Sequence, residues 1–314
     1  MPAREKTLIR GIRRAIPAAR GLVAGIGDDC AILRLPPGDE LLVTTDFTLE
    51  NVHFRRGWHA PEVVGRRCLT RGLSDIAAMG SQPRAAFLSL ALDRRTPQSW
   101  VNAFLRGLLA AAAEFDIPLA GGDTAQSNGG IQADIVVVGS APAGTAIRRS
   151  GARPGDFIYV TGSLGGAAAA LAALRKGKVR AADYPRHFHP TARIEAGQWL
   201  RRRGLASSMI DISDGLSTDL GHLCDESGVG AEIEAAHVPR AIVGHPDAPV
   251  SFDLALHGGE DYELLFTSRG RIPARIGRVA VTRIGRITRR RSLRLVSDRG
   301  ARRLTPRGWE HFSR

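Results

Sequence analysis

Ile210-Asp211-Ile212-Ser213-Asp214-Gly215-Leu216-Ser217-Thr218-Asp219-Leu220-Gly221-His222 is the stretch on which the fold turns. Met209 to Ile212 reads as a short strand, and Leu216 to Glu226 carries apolar residues at helical spacing. Between them, Ser213-Asp214-Gly215 reads equally as a helix N-cap and as carboxylate ligands placed at a strand end. A strand running through acids into a helix is an α/β unit. Upstream lie a strand at Phe157 to Thr161, the turn Gly162-Ser163-Leu164-Gly165-Gly166, an Ala-rich helix, and a further helix at Thr191 to Arg203. Downstream, Asp261 to Thr267 reads as a strand, and the tail from Arg286 as a short hairpin with a loose end.

The N-terminal half has the same alternation. A helix over 4–15 precedes a strand at Leu41 to Thr45 that runs into Asp46. Pro61 to Met79 is helical, with Gly80 as its stop. Arg84 to Leu92 is a strand, Pro97 to Phe115 a long helix, and Ile117 to Ala120 a short strand ending at Gly121-Gly122-Asp123. Ile131 to Ser140 is a β-branched strand. The polar, turn-rich run Arg148 to Asp156 marks a boundary. It gives an N-terminal domain at 1–147 and a C-terminal domain at 148–314, both α/β (or α+β). The alternation is too irregular for a doubly wound parallel sheet.

Composition narrows the function. The chain has 314 residues, 43% of them hydrophobic and 24% charged, enough for two buried cores. No apolar run approaches the ~18 residues of a membrane span. The charged start, Met1 to Arg14, lacks the apolar segment of a signal peptide. Cys30, Cys68 and Cys224 are odd in number and widely spaced, which argues against a disulfide framework and for a reducing cytoplasm. The net charge of +13 raises nucleic-acid binding. However, only three of the 44 basic residues are lysine, the arginines are dispersed, and no aromatics interleave with them as a base-stacking surface requires. Attraction of anionic small substrates is the better use of that charge.

Nine of the 31 carboxylates fall in six short segments rich in Gly, Ser or Thr. These are Gly25-Ile26-Gly27-Asp28-Asp29, Thr44-Thr45-Asp46, Ser74-Asp75, Gly121-Gly122-Asp123, Asp211 to Gly215, and Gly258-Gly259-Glu260-Asp261. Singly, each is a turn, a cap or, for Asp75, a solvated helix face. Together they suggest convergence, and convergent carboxylates need a cation. Two of them ~4 Å apart repel by ~4 kcal/mol at an effective dielectric of 20. An all-oxygen set suits Mg²⁺ or Ca²⁺, and Mg²⁺ with glycine turns points to ATP chemistry. There is no Walker loop, dinucleotide fingerprint, His-Glu-x-x-His or Gly-x-Ser-x-Gly, so nucleotide chemistry must use another device.

These segments, in this order, resemble the thiamine-monophosphate kinase family. Its superfamily includes aminoimidazole-ribotide synthetase, selenophosphate synthetase and a hydrogenase-maturation enzyme. The resemblance is carried by GIGDDCA (25–31), TTD with NVHF downstream (44–54), LSDIAAMG (73–80), GGDT (121–124), RSGARPGD (149–156), VTGSLGG (160–166), IDISDGLSTDLGH (210–222), GGEDYELLFT (258–267) and GWEHF (308–312). It implies a two-domain aminoimidazole-ribotide-synthetase-like fold. Its N-terminal domain would pair with a second copy's to close a dimeric β-barrel, and the active site would lie between the domains. The implied reaction passes the γ-phosphoryl of ATP directly to thiamine monophosphate. By motif position the resemblance implies Mg²⁺ ligation by Asp29, Thr44, Thr45, Asp46, Asp75, Asp123, Asp211 and Asp214. It implies ATP contacts from Gly122, Asp123, Arg149 and Ser213, and thiamine-phosphate contacts from His53, Glu260 and Trp309. Residue chemistry reads His53 as an orienting donor rather than a base, because the acceptor phosphate is already ionised. Two relatives fit less well. Cys30 lies beside the acidic pair rather than in a reactive glycine-rich loop, and the chain ends His311-Phe312-Ser313-Arg314 without a cysteine. Another ATP-using enzyme of this superfamily, or a non-catalytic nucleotide- or metal-binding homologue, stands as the alternative.

Overall fold

The computed structural model describes residues 5–16, 21–26, 30–177, 179–310 and 312. The chain divides into two compact units: unit 1 is Met1–Ile76 with Ser81–Gly144, and unit 2 is Ala77–Gly80 with Thr145–Arg314.

Unit 1 opens with α1 (Glu5–Ala15) and a small antiparallel pair, β1 (Leu22–Ala24) and β2 (Ile32–Leu33). Then come β3 (Asp39–Leu49), α2 (Pro61–Ala78), β4 (Gln82–Leu92), α3 (Gln98–Glu114), β5 (Leu119–Gln126) and β6 (Gln132–Pro142). The four longer strands form one sheet in the order β3-β6-β4-β5, antiparallel except for the β4–β5 pair. Alternation along β3 sets its two faces. Leu41, Val43, Thr45 and Phe47 are exposed, while Thr44, Asp46 and Thr48 turn inward. Gly65 and Gly107 let α2 and α3 touch, because a Cβ at either would meet backbone at 2.0 Å. Gly72 likewise lets α2 lie on Val137 of β6. Among the described residues this sheet is open and no closed barrel forms, so the barrel expected of a dimer is not seen within one chain.

Unit 2 runs β7 (Phe157–Thr161), α4 (Gly166–Lys176), α5 (Pro185–Phe188), α6 (Ile194–Arg202), β8 (Ser208–Asp211), α7 (Leu216–Ser227) and β9 (Gly230–Glu234). It continues with β10 (Ile242–Val243), β11 (Ala248–Pro249), α8 (Phe252–His257), β12 (Leu264–Ser268), β13 (Arg275–Ile276), β14 (Val279–Thr288), β15 (Leu293–Ser297) and β16 (Gly300–Arg303). Its main sheet has the order β16-β15-β9-β14-β7-β12-β8, with β13 paired to β14, and only β9–β15 is parallel. Ile158, Val160, Ile210, Leu216, Leu220, Leu223, Ile233, Leu265 and Ile284 form one apolar core beneath the helices.

Several boundaries differ from the sequence expectation. The strand expected to stop at Ala120 runs through Gly121-Gly122-Asp123 to Gln126. Those glycines are extended rather than turning, since a Cβ on Gly122 would sit 1.9 Å from the Leu88 carbonyl of β4. β3 continues to Leu49, so Thr44, Thr45 and Asp46 are mid-strand. The strand expected from Asp261 begins only at Leu264, because Glu260 and Tyr262 have positive φ and hold 258–263 as a loop. Arg286 lies inside β14, and the tail hairpin is β15–β16.

Candidate active site

In unit 1 the expected ligands divide between the two faces of the sheet. On the helix-covered face, the Thr44 hydroxyl of β3 donates to Asp75 Oδ2 of α2 at 2.5 Å. One turn earlier on α2, Arg71 donates from Nε and Nη2 to Asp46 Oδ1 at 3.0 and 2.8 Å. Asp75 is thus not a solvated helix residue, and Thr44, Asp46 and Asp75 form one cluster with Arg71 as its counter-charge. On the opposite face, Thr45 Oγ1 donates to Asp134 Oδ1 at 2.6 Å. Register places Asp123, Ser89 and Asp134 in one row across β5, β4 and β6. Strand parity therefore parts Thr45 and Asp123 from Thr44 and Asp46. Asp134 was not anticipated, since it lies in a β-branched strand without a flanking glycine.

Gly122 and Asp123 also line a cavity of about 610 Å³ in unit 1, with Ile12, Cys30, Phe87 and Leu119 among its walls. Its size and apolar lining are those of a small-molecule site. Cys30 is exposed, whereas burial pushes the Cys68 and Cys224 thiols up to about 12. Asp29 lies outside the described residues. His53 follows β3 in a short loop, and its Nδ1 accepts the Leu49 backbone N–H at 3.0 Å. That bond leaves the proton of a neutral imidazole on Nε2.

Unit 2 gathers five of its six expected residues. Asp211 ends β8, and Ser213 and Asp214 follow in the turn before α7. The loop 258–263 is laced to that turn: Glu260 N donates to Ser213 O at 2.8 Å and Tyr262 N to Ile212 O at 2.9 Å. Gly259 makes this approach possible, because a Cβ there would lie 2.4 Å from Ser213 O. From the tail, Trp309 N donates to Asp214 O at 3.1 Å. The Trp309 ring is 53% exposed, so it is not a residue docked into the core. Arg149 is the exception. Its carbonyl accepts from Ser227 Oγ at the last turn of α7, about 18 Å from the turn holding Asp214 at 1.5 Å per helical residue.

A further carboxylate joins the turn. Asp219, buried in the first turns of α7, accepts the N–H groups of Asp214 and Gly215 at 3.2 and 2.9 Å through Oδ2. Burial, then the neighbouring charges of Asp211 and Asp214, pushes its carboxyl up to about 8. Its only sequence signal was its place in the first turns after Asp214. The other acids of 258–263 are structural. Asp261 accepts from Gly165 N at 2.6 Å and Ala167 N at 3.3 Å, capping α4, and burial pushes it up to about 7. Buried Glu263 takes Arg193 Nε at 2.6 Å, Arg186 Nη2 at 3.2 Å and the Thr161 hydroxyl at 2.6 Å. Among the described residues no three His, Cys, Asp or Glu side chains converge tightly enough to hold a metal by themselves. Nor is any helix among them long and apolar enough to cross a membrane.

Residues 27–141 match the family model for the N-terminal domain of AIR synthase related proteins, and residues 153–271 match the model for its C-terminal domain. Thiamine-monophosphate kinase of Salmonella typhimurium (strain LT2) is 42% identical over 270 residues, 82% of this chain and 81% of that protein. The crystal structure of thiamine-monophosphate kinase from Stenotrophomonas maltophilia K279a superposes with a TM-score of 0.81 at 35% identity, covering 94% of this chain and 97% of that one. AaThiL complexed with AMPPCP and TMP gives a TM-score of 0.77 at 32% identity, over 98% of this chain and 97% of that one.

Proposed function

Because the chain belongs to the AIR synthase related family, on its thiamine-monophosphate kinase branch, we propose that it transfers the γ-phosphoryl group of ATP to thiamine monophosphate, giving thiamine diphosphate. The observation that carries this reading beyond kinship is the unit 2 turn. There, Ser213 accepts the Glu260 backbone N–H and Asp214 accepts that of Trp309, with Asp211 just before them at the end of β8, so carboxylates, a hydroxyl and an aromatic residue meet at one place.

The donor set fits a hard divalent cation. It is all oxygen, and repulsion within Asp211, Asp214 and Asp219 contributes to holding a proton on Asp219 at neutral pH. Asp46, Asp75 and Thr44 in unit 1, and Asp211 and Asp214 in unit 2, would hold Mg²⁺. Asp123 would serve both metal and ATP. Asp29 and Thr45 join the set on motif position alone, as does Arg149 among the ATP contacts. When bound, Mg²⁺ offsets the charge on the phosphate oxygens. Gly122, with no side chain, permits close backbone approach of the nucleotide, and Ser213 supplies a hydroxyl to it. The cavity beside Gly122 and Asp123 suits the nucleotide's planar base. His53 orients the acceptor phosphate through Nε2–H. Glu260 and Trp309 receive the cationic, aromatic thiamine end, where a carboxylate and a π face both attract positive charge. Transfer is direct, because the acceptor phosphate oxygen is already ionised and needs no strong base.

The unit also pairs with a second copy through β3. That strand is an edge of the sheet, and it exposes Leu41, Val43 and Phe47 on one face. An apolar edge strand is a surface that proteins cover. Pairing with the partner's sheet would close a barrel and give a homodimer, and three widely spaced cysteines suit a reducing cytoplasm as its place. The test of the site is Trp309→Ala, with KM measured for each substrate. Loss of ring stacking, worth roughly 1–3 kcal/mol, raises KM for thiamine monophosphate about ten- to a hundredfold and spares ATP. Equal losses for both substrates would refute the assignment.

A further inference from the structure

Trp309 belongs to the tail after β16, whose described residues form no helix or strand of their own. Its neighbours hold it instead. Arg307 donates from Nε to His257 Nε2 at 3.3 Å and from Nη2 to Asp253 Oδ1, both on α8. The other ring nitrogen of His257, Nδ1, lies 2.7 Å from Ser217 Oγ in the first turn of α7. Gly308 N donates to Thr218 Oγ1 at 3.0 Å, and Trp309 N follows onto Asp214 O. Gly308 is close-fitted, because a Cβ there would lie 2.2 Å from Asp214 O.

We infer that His257 and Arg307 are positioning residues: they latch the tail onto α7 and α8 and so present the Trp309 ring beside Asp214 for the thiamine end of the substrate. The inference rests on the reading of Trp309 given above. The bond directions support it. Since Arg307 Nε–H can only donate, His257 Nε2 must accept, and Nδ1–H then donates to Ser217. The latch therefore requires a neutral imidazole. His257 is nearly buried and faces Arg307 from the tail, Asp253 from its own helix and Arg302 from β16. Burial first, then Arg307, lowers its tendency to take a proton, with Asp253 opposing. A charged imidazole would set two donors and two like charges face to face.

The test uses the full chain in four forms: wild type, His257→Ala, His257→Gln and Asp253→Asn. His257→Gln keeps an acceptor for Arg307 and a donor for Ser217, and Asp253→Asn keeps an oxygen for Arg307 but removes the negative charge that faces both Arg307 and His257. Hydrogen exchange is followed by mass spectrometry on the peptide spanning 304–314, and KM is measured for both substrates. In His257→Ala we expect tail exchange at least tenfold faster and KM for thiamine monophosphate about tenfold higher. KM for ATP, kcat and exchange in α7 should stay near wild type. Asp253→Asn should show a smaller shift of the same kind, and His257→Gln should restore most of both. In a Trp309→Ala background, His257→Ala should add no further change in KM. Unchanged tail exchange in both His257→Ala and Asp253→Asn would overturn the latch. So would a KM change that adds to that of Trp309→Ala. Faster exchange with KM unmoved in His257→Ala and in Trp309→Ala alike would uphold the latch mechanically and overturn the role given to Trp309.

Discussion

Asp219→Asn should make the metal-free protein more stable and the enzyme worse. With its carboxyl near 8 rather than 3.8, Asp219 is protonated in the folded chain at pH 7 and ionised in the unfolded one. A folded-state value raised in this way contributes stability below pH ~4 that is lost as pH rises toward ~8. At pH 7 the loss is about 4 kcal/mol, from 1.36 kcal/mol per unit over the interval above 3.8. Asparagine keeps an acceptor for the N–H groups of Asp214 and Gly215 and has nothing to titrate. Allowing half of that loss for relaxation of the turn, the variant should gain about 2 kcal/mol, or about 4–8 °C in Tm for a unit of this size. The assay is calorimetric melting at pH 5 and pH 8, with and without MgCl2. Wild type should weaken between the two pH values and recover with Mg²⁺ at pH 8, while Asp219→Asn should weaken less, keeping only the loss that Asp261 brings, and should gain less from Mg²⁺, through Asp211 and Asp214 alone. A variant less stable than wild type at pH 8 without metal, with the same Mg²⁺ response, would refute the electrostatic reading of this turn.

Asp75→Asn should lower kcat about a hundredfold with Tm nearly unchanged, since the amide oxygen still accepts from Thr44, and stopped-time product assays beside melting curves check it. Gly122→Ala should cost about 2–4 kcal/mol in urea unfolding, because its φ of +145° and the Leu88 carbonyl leave no place for a Cβ. Mg²⁺ binding should release protons between pH 6.5 and 8 as Asp219 ionises, read as buffer-dependent enthalpy in titration calorimetry; buffer-independent heats would count against it. Phe47→Asp should shift the mass by light scattering from dimer to monomer, as a charge placed on the exposed face of an edge strand resists pairing.

Much of this architecture is legible in local pattern. The β-branched run of β6 and the apolar spacing of α7 stand where composition and period place them. The errors have common causes. Gly121-Gly122 looks like a turn, yet it is extended because only glycine fits under Leu88. The parity of Thr44, Thr45 and Asp46 was available from strand alternation once the strand was known to continue to Leu49. β14 hides behind its arginines, with Arg283 and Arg286 breaking an apolar run of which the sheet buries Val281, Ile284 and Ile287 across a register shift between Arg283 and Gly285. Asp219 could not be found by motif, since its importance comes from burial beside Asp211 and Asp214, which only the packed turn creates. Glu260 and Asp261 read as one acidic segment, but positive φ at Glu260 and Tyr262 sends them, with Glu263 beyond, to three different tasks.

The most direct test is conversion itself. Purified chain is incubated with ATP, Mg²⁺ and thiamine monophosphate, and the products are separated by chromatography and identified by mass. The account predicts thiamine diphosphate and ADP in equal amounts, with turnover abolished by excess chelator and with ADP appearing only when thiamine monophosphate is present. No thiamine diphosphate under these conditions, or ADP release indifferent to thiamine monophosphate, would contradict it.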